Sequence, residues 1–178
     1  MRILTGLEKE QAQRFLLKVV EVARSSLCHH SWCGSIIVKE DEIIGTGHNS
    51  PPCNQNLRTC IKDSLDSNFK SDKTCCLHAE ERAIMNALQK SPKKLLGSRI
   101  YFIRLDTQGN ILKADKLKCT ICSKLALDTG IAEFVLYKEE GICVYNTQEY
   151  NTLTFTTAAK DQAAAVQIQA TLQELNTR

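Results

Sequence analysis

Hydrophobic and polar residues follow two different periods along the chain, and these periods separate predicted helices from predicted strands. Between residues 8 and 27, apolar side chains recur at the three- and four-residue spacing of an amphipathic helix. The same spacing returns over residues 77–88. A third helix is predicted over residues 119–129, with Gly130 as its stop signal. Short runs rich in β-branched and aromatic residues predict strands at residues 35–38, 42–45, 99–103 and 133–137.

The order of these elements indicates the fold class. One helix, a hairpin and then alternating helices and strands are typical of an α/β fold, in which a mixed sheet is covered by helices. Residues 142–145 fit either a further strand or a packed connection. The polar, cysteine-bearing residues 53–75 are interpreted as a long insertion, and residues 106–118 as a turn-rich excursion around a Gly-Asn pair.

The length of 178 residues, with no internal repeat, fits one domain able to bury its own core. We assign residues 1–150 to this domain. Residues 151–178 are then a C-terminal extension, and the Ala- and Gln-rich composition of the last twenty residues favours a helix. No run approaches the roughly 18 apolar residues of a membrane span, and the N-terminus lacks the apolar core of a secretory signal. We therefore expect a cytoplasmic protein without a membrane partner.

Charge and cysteine content narrow the class of partner. The net charge of +3 is too balanced, and the aromatic content of 6% too low, for a nucleic-acid channel, so a nucleic-acid partner is not expected. Nine cysteines is an unusual total for this length. An odd number of cysteines without a secretory signal does not suit a disulfide framework, and clustered cysteines in a reducing compartment more often bind metal.

Two short motifs carry the candidate chemistry, and each lies at the start of a predicted helix. In the first, His78 precedes Glu80 by two residues, and the second is the Cys-x-x-Cys pair Cys119 and Cys122. One imidazole and two thiolates form a three-ligand zinc site with an open fourth position for water. Zinc lowers the pKa of such a water toward neutrality. Glu80 is placed to act on it as a general acid and base, and the helix N-termini favour the thiolates.

A closed structural zinc site is the alternative interpretation of these motifs. It would take its fourth ligand from another cysteine, and Glu80 would then be an ordinary exposed helix residue. The catalytic interpretation is favoured because both motifs start helices that are separated by a strand, which is the context that an open site needs.

Together with their flanking segments, the motifs resemble the cytidine and deoxycytidylate deaminase superfamily, and deoxycytidylate deaminases in particular. The resemblance follows the chain in order from about residue 10 to residue 140. It implies a three-layer α/β/α sandwich around a five-stranded mixed sheet, one catalytic zinc per subunit and a homo-oligomer. It also implies hydrolytic attack on the ring carbon that bears the amino group. The segments that carry the resemblance are residues 24–28, 33–38, 45–52, 76–80 and 119–122.

The resemblance also implies roles for individual residues. Asn49 is expected to hydrogen-bond the sugar and Ala79 to help hold the base, while His48 is assigned to substrate binding at the pocket mouth. Arg58 and Lys62 either bind a 5′-phosphate or lie on a solvated loop. Some deoxycytidylate deaminases hold the equivalent insertion with a second, structural zinc, whereas buried free thiols are the alternative. The candidate ligands for a second zinc are Cys28, Cys53, Cys60, Cys75 and Cys76.

Two departures from the family pattern limit how much of the family's substrate specificity can be assigned to this chain. Lys118 replaces the proline that usually precedes the first motif cysteine, and an excursion separates the strand at 99–103 from Cys119. Both argue against tRNA adenosine, guanine and riboflavin-pathway deaminases. We expect deamination of a free cytosine nucleotide or nucleoside, with dCMP as the first candidate. The alternatives are deamination of another heterocycle and a non-catalytic zinc-stabilised binding protein, and Glu80 argues against the latter.

Overall fold

The computed structural model describes residues 1–65, 75–115 and 119–158, and the periodic segments in these ranges form helices and strands. Every helix and long strand predicted there is present, with ends shifted by a few residues. The helices are α1 (Gly6–Ala23), α2 (Ala79–Lys90), α3 (Thr120–Asp128) and α4 (Thr147–Ala158). The strands are β1 (Arg2–Ile3), β2 (Trp32–Lys39), β3 (Glu42–His48), β4 (Arg99–Leu105), β5 (Ile111–Leu112), β6 (Glu133–Lys138) and β7 (Gly141–Asn146).

The strands form one mixed sheet in the order β1-β7-β6-β4-β2-β3, and β5 pairs with β4. Neighbouring strands run antiparallel except β4 and β6, which run parallel with Tyr101 opposite Val135. A parallel pair needs a crossover connection, and α3 provides it. Residues 142–145, which fitted either a strand or a connection, lie in β7 and pair with β6.

Alternating side chains on the strands divide the apolar core between two faces. Ile36 and Val38 of β2 pack with α1 on one face, while Ile37 between them packs with α2 on the other. The same alternation along β4 sends Tyr101 toward α1 and Ile100 toward α2. Because α1 covers one face and α2, α3 and α4 cover the other, the molecule has three layers. The predicted α/β/α sandwich is confirmed.

The sheet has seven strands among the described residues, whereas the resemblance implied five. The five long strands are β2, β3, β4, β6 and β7. The two additional strands, Arg2–Ile3 and Ile111–Leu112, have two residues each. A two-residue strand is too short to show alternation, so its presence depends on hydrogen bonding to a neighbour that the sequence pattern does not reveal.

Helix α4 crosses residue 150, at which the domain was predicted to end. Its Tyr150 ring stacks on Phe134 of β6 with ring centroids 4.1 Å apart. Asn151 and Thr154 of the same helix are buried. The helix predicted for the last twenty residues lies outside the described part of the chain. In the described part of the insertion, two short 3-10 turns form at Pro52–Asn54 and Ile61–Ser64. No described helix combines the length and the apolar content that crossing a bilayer requires.

Helix α2 lies directly against the backbone of β3 because β3 has glycine where the two elements meet. A Cβ atom on Gly47 would come within 2.3 Å of the carbonyl oxygen of Ala79, and one on Gly45 within 2.5 Å of that of Ala83. Only glycine permits this approach. The contact at Ala79 fixes the height of the first turn of α2 above the sheet, and this turn carries His78 and Glu80.

Candidate active site

The first turn of α2 is held by its own capping interaction. The backbone N–H of His78, the residue before the helix, donates to the Glu81 carboxylate at 2.8 Å. This is the reaching-back contact of a capping box, which satisfies a backbone donor that has no partner within the helix. The capping contact therefore uses Glu81 and leaves the side chains of His78 and Glu80 available to the interior.

The start of α3 uses a cysteine in the same position. The Sγ atom of Cys119 accepts a hydrogen bond from the backbone N–H of Cys122 at 3.2 Å. A thiol at this position lies at the positive end of the helix dipole, where the thiolate form is stabilised. The second thiol, that of Cys122, is fully buried. Both sulfur atoms are therefore held by one turn of a packed helix.

The two helix starts bring three metal-ligating atoms together. The Nδ1 atom of His78 lies 3.2 Å from Sγ of Cys119 and 3.3 Å from Sγ of Cys122. All three donor atoms lie within 4.8 Å of one another. Zinc–ligand bonds of about 2.1 and 2.3 Å in a tetrahedral arrangement separate a nitrogen and a sulfur ligand by about 3.5 Å. One nitrogen and two sulfur donors at this spacing fit a zinc ion.

The charges at this site favour a divalent cation. The hydrogen bond from Cys122 lowers the pKa of Cys119 to about 4, with burial opposing it and His78 adding to it. The hydrogen bond to Cys119 raises the pKa of His78 to about 9. Hydrogen bonding to Cys119 and burial raise the pKa of Cys122. One imidazolium thus offsets only one thiolate, whereas a divalent cation favours both as ligands.

Glu80 lies beside these ligands in a site shielded from water, with only 7% of its surface exposed. Burial raises its pKa to about 7, and the neighbouring His78 opposes that shift. A carboxyl group whose pKa lies near neutrality can both accept and donate a proton at physiological pH. Glu80 therefore has the burial and the protonation range that general acid–base catalysis needs.

A cavity of about 800 Å³ opens beside the three ligands and Glu80. Its size matches the range typical of small-molecule sites. Asn49 and Ala79, both expected to contact substrate, line this cavity. Residues from β2, β4, β6 and α4, together with those just before β2 and after β4, complete the wall. Among these are Ser31, Cys33, Phe102, Arg104, Lys113 and Tyr137.

The Asn49 side chain is held rigidly at the cavity wall. Its Oδ1 accepts hydrogen bonds from Ser26 Oγ and from the backbone N–H of Cys33, each at 2.7 Å. Its Nδ2 donates to the backbone carbonyl of Ser31 at 3.0 Å. Both lone pairs of the oxygen are used, and one N–H remains. Asn49 is therefore suited to donate to a ligand oxygen rather than to accept from a ligand hydroxyl.

His48, the neighbour of Asn49 in sequence, is not among the residues that line the cavity. Burial is the main cause that lowers the pKa of its imidazole, and Arg82 lowers it further, while a hydrogen bond with Asn54 opposes the shift. The structure thus brings Asn49 and Ala79 to the cavity with the three ligands and Glu80, but leaves His48 outside it.

Four of the five cysteines suggested for a second zinc lie in a row of neighbouring thiols, which we call the loop thiol cluster. The Sγ atoms of Cys60 and Cys75 are 3.5 Å apart, and those of Cys75 and Cys76 are 3.8 Å apart. Cys76 also shares a hydrogen bond with Cys28. The fifth cysteine, Cys53, is exposed and has no contact with another thiol among the described residues. The loop thiol cluster is formed by Cys28, Cys60, Cys75 and Cys76.

Some residues near the loop thiol cluster and in the cavity wall were not predicted from the sequence. His30 and Asp63 were not among the predicted site residues, yet His30 Nε2 lies 2.8 Å from Asp63, and both have donor atoms within 4.8 Å of Cys60. No motif in the sequence indicated either residue. Arg104 was also missed as a cavity residue, because the predicted strand ended at residue 103. The apolar Leu105 was the signal that this strand continues past Arg104.

The three-layer fold and the cluster of one histidine and two cysteines define a scaffold that could hold one metal ion beside a cavity. A family model described as the cytidine and deoxycytidylate deaminase zinc-binding region matches residues 9–138. The match covers most of the chain, and the protein belongs to this family.

Among curated proteins, the chain is similar to three deoxycytidylate deaminases. It is 30% identical to that of Saccharomyces cerevisiae over 148 residues, covering 76% of this chain and 42% of the relative. Identity to the Schizosaccharomyces pombe protein is 31%, over 82% of this chain and 39% of the relative. Identity to the protein of Mycobacterium phage D29 is 26%, over 70% of this chain and 92% of the relative. The chain thus spans about two fifths of the two yeast relatives.

Among solved structures, the chain is similar to the dCMP deaminase of cyanophage S-TIM5 in complex with dCMP and dUMP. The sequence identity is 20%, the TM-score is 0.49, and the match covers 74% of this chain and 82% of that chain. At this TM-score, the assignment of the fold depends on the topology described above and on the family match.

Proposed function

We propose that this protein catalyses the zinc-dependent hydrolytic deamination of a free cytosine nucleotide, with dCMP converted to dUMP and ammonia as the first candidate reaction. The observation that carries the proposal is the cluster of His78, Cys119 and Cys122, of which His78 and Cys119 line one cavity together with the buried Glu80. Membership of the deaminase family and the likeness to three proteins named deoxycytidylate deaminase support it.

In the proposed reaction, His78, Cys119 and Cys122 would hold a zinc ion, which would supply a Lewis acid that lowers the pKa of water toward 7. The Glu80 carboxylate takes a proton from the attacking water and passes it to the pyrimidine ring nitrogen. The water oxygen bonds to the ring carbon that bears the amino group. Glu80 then transfers the second water proton to the amino nitrogen. The carbon–nitrogen bond breaks, ammonia leaves, the water oxygen becomes the carbonyl oxygen and Glu80 is again a carboxylate.

The remaining wall residues position the substrate in this proposal. The free N–H of Asn49 donates to a sugar oxygen, since its carbonyl oxygen is already used by two protein donors. Ala79 holds the base from the first turn of α2, where the glycines of β3 allow the helix to lie close to the sheet. His48 was assigned to substrate binding, but its position outside the cavity lining does not support direct contact.

We extend the proposal to a second, structural zinc at the loop thiol cluster. Thiol–thiol separations of 3.5 and 3.8 Å suit two sulfur ligands of one tetrahedral zinc, for which bond lengths of about 2.3 Å require about 3.8 Å. His30 and Asp63 beside Cys60 offer further ligand atoms. Cys53 is exposed and forms none of the thiol–thiol contacts found among the described residues, so we leave it out of the set. Self-association into a homo-oligomer remains an expectation that sedimentation analysis can test.

Deamination of another heterocycle is the second candidate function, and one observation favours keeping it. The cavity wall includes β5 and the residues after it, part of the excursion by which this chain departs from the family pattern. The substrate can therefore differ from that of the relatives.

Ammonia release from a panel of substrates tests both candidates. The panel contains cytidine, deoxycytidine, their 5′-monophosphates, guanine and adenosine, with Glu80→Ala as the control. Turnover of the cytosine compounds that is lost in the variant supports the first candidate. Turnover of guanine or adenosine alone supports the second. Absence of turnover across the panel, with zinc shown to be bound, contradicts the first candidate.

A further inference from the structure

Arg104 brings a positive charge to the cavity from the middle of the sheet. It lies on β4 directly opposite Cys33 of β2. Side chains alternate along β4, and Ile100 and Phe102 contact the core on the side of α2 and α3. Arg104 is two residues further, so its side chain lies on the same face as the zinc ligands. Arg104 is accordingly among the cavity-lining residues.

The guanidinium of Arg104 has no anionic partner among the residues that the structure describes. Its Nε atom is buried without a hydrogen bond, and within the same ranges its side chain forms no ion pair. Arg104 as a whole is half-buried, and a charge that is partly removed from water without a partner is costly unless a ligand supplies one. The arrangement suits a site whose anion arrives with the ligand.

The other cation of the cavity wall is already paired, which distinguishes it from Arg104. Lys113 Nζ lies 2.7 Å from Glu139 and 5.9 Å from the centre of the Tyr137 ring. The exposed Arg58 and Lys62, considered from the sequence as phosphate ligands, do not line the cavity. Arg104 is thus the cation of the described cavity wall whose donors remain available.

Neither of the two carboxylates that line the cavity serves as an anionic partner of Arg104. The main charges that shift the pKa of Glu80 are those of His78, Cys119 and Glu81. Asp115, the second carboxylate of the wall, has an interaction of its own and no ion pair with Arg104. Burial raises the pKa of the Cys33 thiol to about 12 although Arg104 lowers it, so this neighbouring thiol is not an anion for Arg104.

Resting on the proposed function, we propose that Arg104 binds the phosphate of the substrate and selects a nucleoside monophosphate over a neutral nucleoside. A planar guanidinium can donate two parallel hydrogen bonds to phosphate oxygens, and this contact is absent for a nucleoside. The charge is carried by a central strand rather than by a loop. The phosphate is therefore held at a fixed distance from the zinc ligands and Glu80.

The test compares Arg104→Met and Arg104→Lys with Arg14→Met, which removes the same charge from an exposed position on α1. Values of kcat/KM are measured for deoxycytidine 5′-monophosphate and for deoxycytidine. In Arg104→Met, we expect kcat/KM to fall about 100-fold for the monophosphate and to change less than about twofold for the nucleoside. Arg104→Lys recovers part of the loss, and Arg14→Met leaves both values unchanged. Equal losses for both substrates, or no loss for either, overturn the proposal.

A binding measurement separates failure of this inference from failure of the proposed function. In the Glu80→Gln background, calorimetry measures the affinity for deoxyuridine 5′-monophosphate and for deoxyuridine, with and without Arg104→Met. Selective loss of monophosphate binding supports the role of Arg104 even if the wild-type protein turns over neither substrate. Wild-type turnover with unchanged monophosphate binding in Arg104→Met overturns the inference alone. Thermal unfolding provides a further readout, since removing an unpaired, half-buried charge should not lower Tm, whereas removing a structural arginine would.

Discussion

The two cysteine-rich regions of this molecule present the same types of potential metal ligand on different supports. In the candidate active site, Cys119 and Cys122 belong to one turn of α3, and His78 starts α2. In the loop thiol cluster, Cys60 precedes a short 3-10 turn, and Cys75 lies in an irregular segment. Helices packed on a sheet hold the ligands of the candidate active site. Loops hold the thiols of the loop thiol cluster, and the thiols in turn connect those loops.

This difference indicates whether the protein positions the metal ligands or the metal stabilises the protein segments. Helices α2 and α3 pack through buried apolar residues, so packing rather than metal binding sets the positions of the active-site ligands. None of the described residues of the insertion belongs to either apolar cluster, and a metal would contribute much of their order. We therefore expect loss of metal to abolish chemistry in the first region and to reduce stability in the second. The predictions below test this contrast.

Cys119→Ala should give the largest effect. It removes one of three ligands from a preformed site, so we expect loss of one equivalent of zinc and deamination below detection, with the fold retained. Metal analysis, circular dichroism and ammonia release on the same sample provide the measurement. Retention of both zinc and turnover would show that the site proposed here is not the catalytic one.

Glu80→Gln should reduce turnover by about 10³- to 10⁴-fold while leaving the metal content unchanged. The amide is similar in size to the carboxyl group but cannot carry the proton. Because burial raises the pKa of Glu80, an uncharged replacement avoids a desolvation cost, and Tm should stay equal or rise. Activity assays and thermal unfolding check both parts. A variant with near wild-type rate excludes Glu80 as the proton carrier.

Gly47→Ala tests whether the scaffold positions the first region. The new Cβ would lie 2.3 Å from backbone atoms of Ala79 and Ala83, so α2 must move away from β3. We expect a loss of about 3 kcal/mol in the free energy of unfolding and a reduced kcat. Thr46→Ala on the same strand is the control, because Thr46 is exposed and should change the free energy little. Equal denaturation midpoints for the two variants would contradict close packing at this point.

Cys60→Ser should have the smallest effect on catalysis. We expect loss of a second zinc equivalent and a fall of a few degrees in Tm, with kcat changed by less than about threefold, since Cys60 does not line the cavity. Cys53→Ser is the matched control and should retain the metal. A chelator should also remove zinc from the loop cluster before it inactivates the enzyme. A stoichiometry of one zinc in both the wild-type protein and Cys60→Ser would reject the second site.

Short-range patterns account for the part of the site that was predictable. His78 and Glu80 are two residues apart, and Cys119 and Cys122 are three apart, so each motif lies within a single helix start. Local geometry then places the side chains of each motif together. The pair of His48 and Asn49 shows where adjacency misleads. They are neighbours at the end of β3, yet only Asn49 lines the cavity, because successive side chains of an extended chain point in opposite directions.

By itself, the sequence determined four of the five long strands, the α/β class of the fold and the two motifs at the helix starts. Periodicity and motif spacing are properties of a few neighbouring residues, and this local information is sufficient to predict those features. The tertiary structure alone decided that Arg104 lies opposite Cys33 on the cavity face and that His30 approaches Asp63. These contacts join residues far apart in the chain. They depend on strand register and loop packing, which many distant apolar contacts set together and which no local pattern encodes.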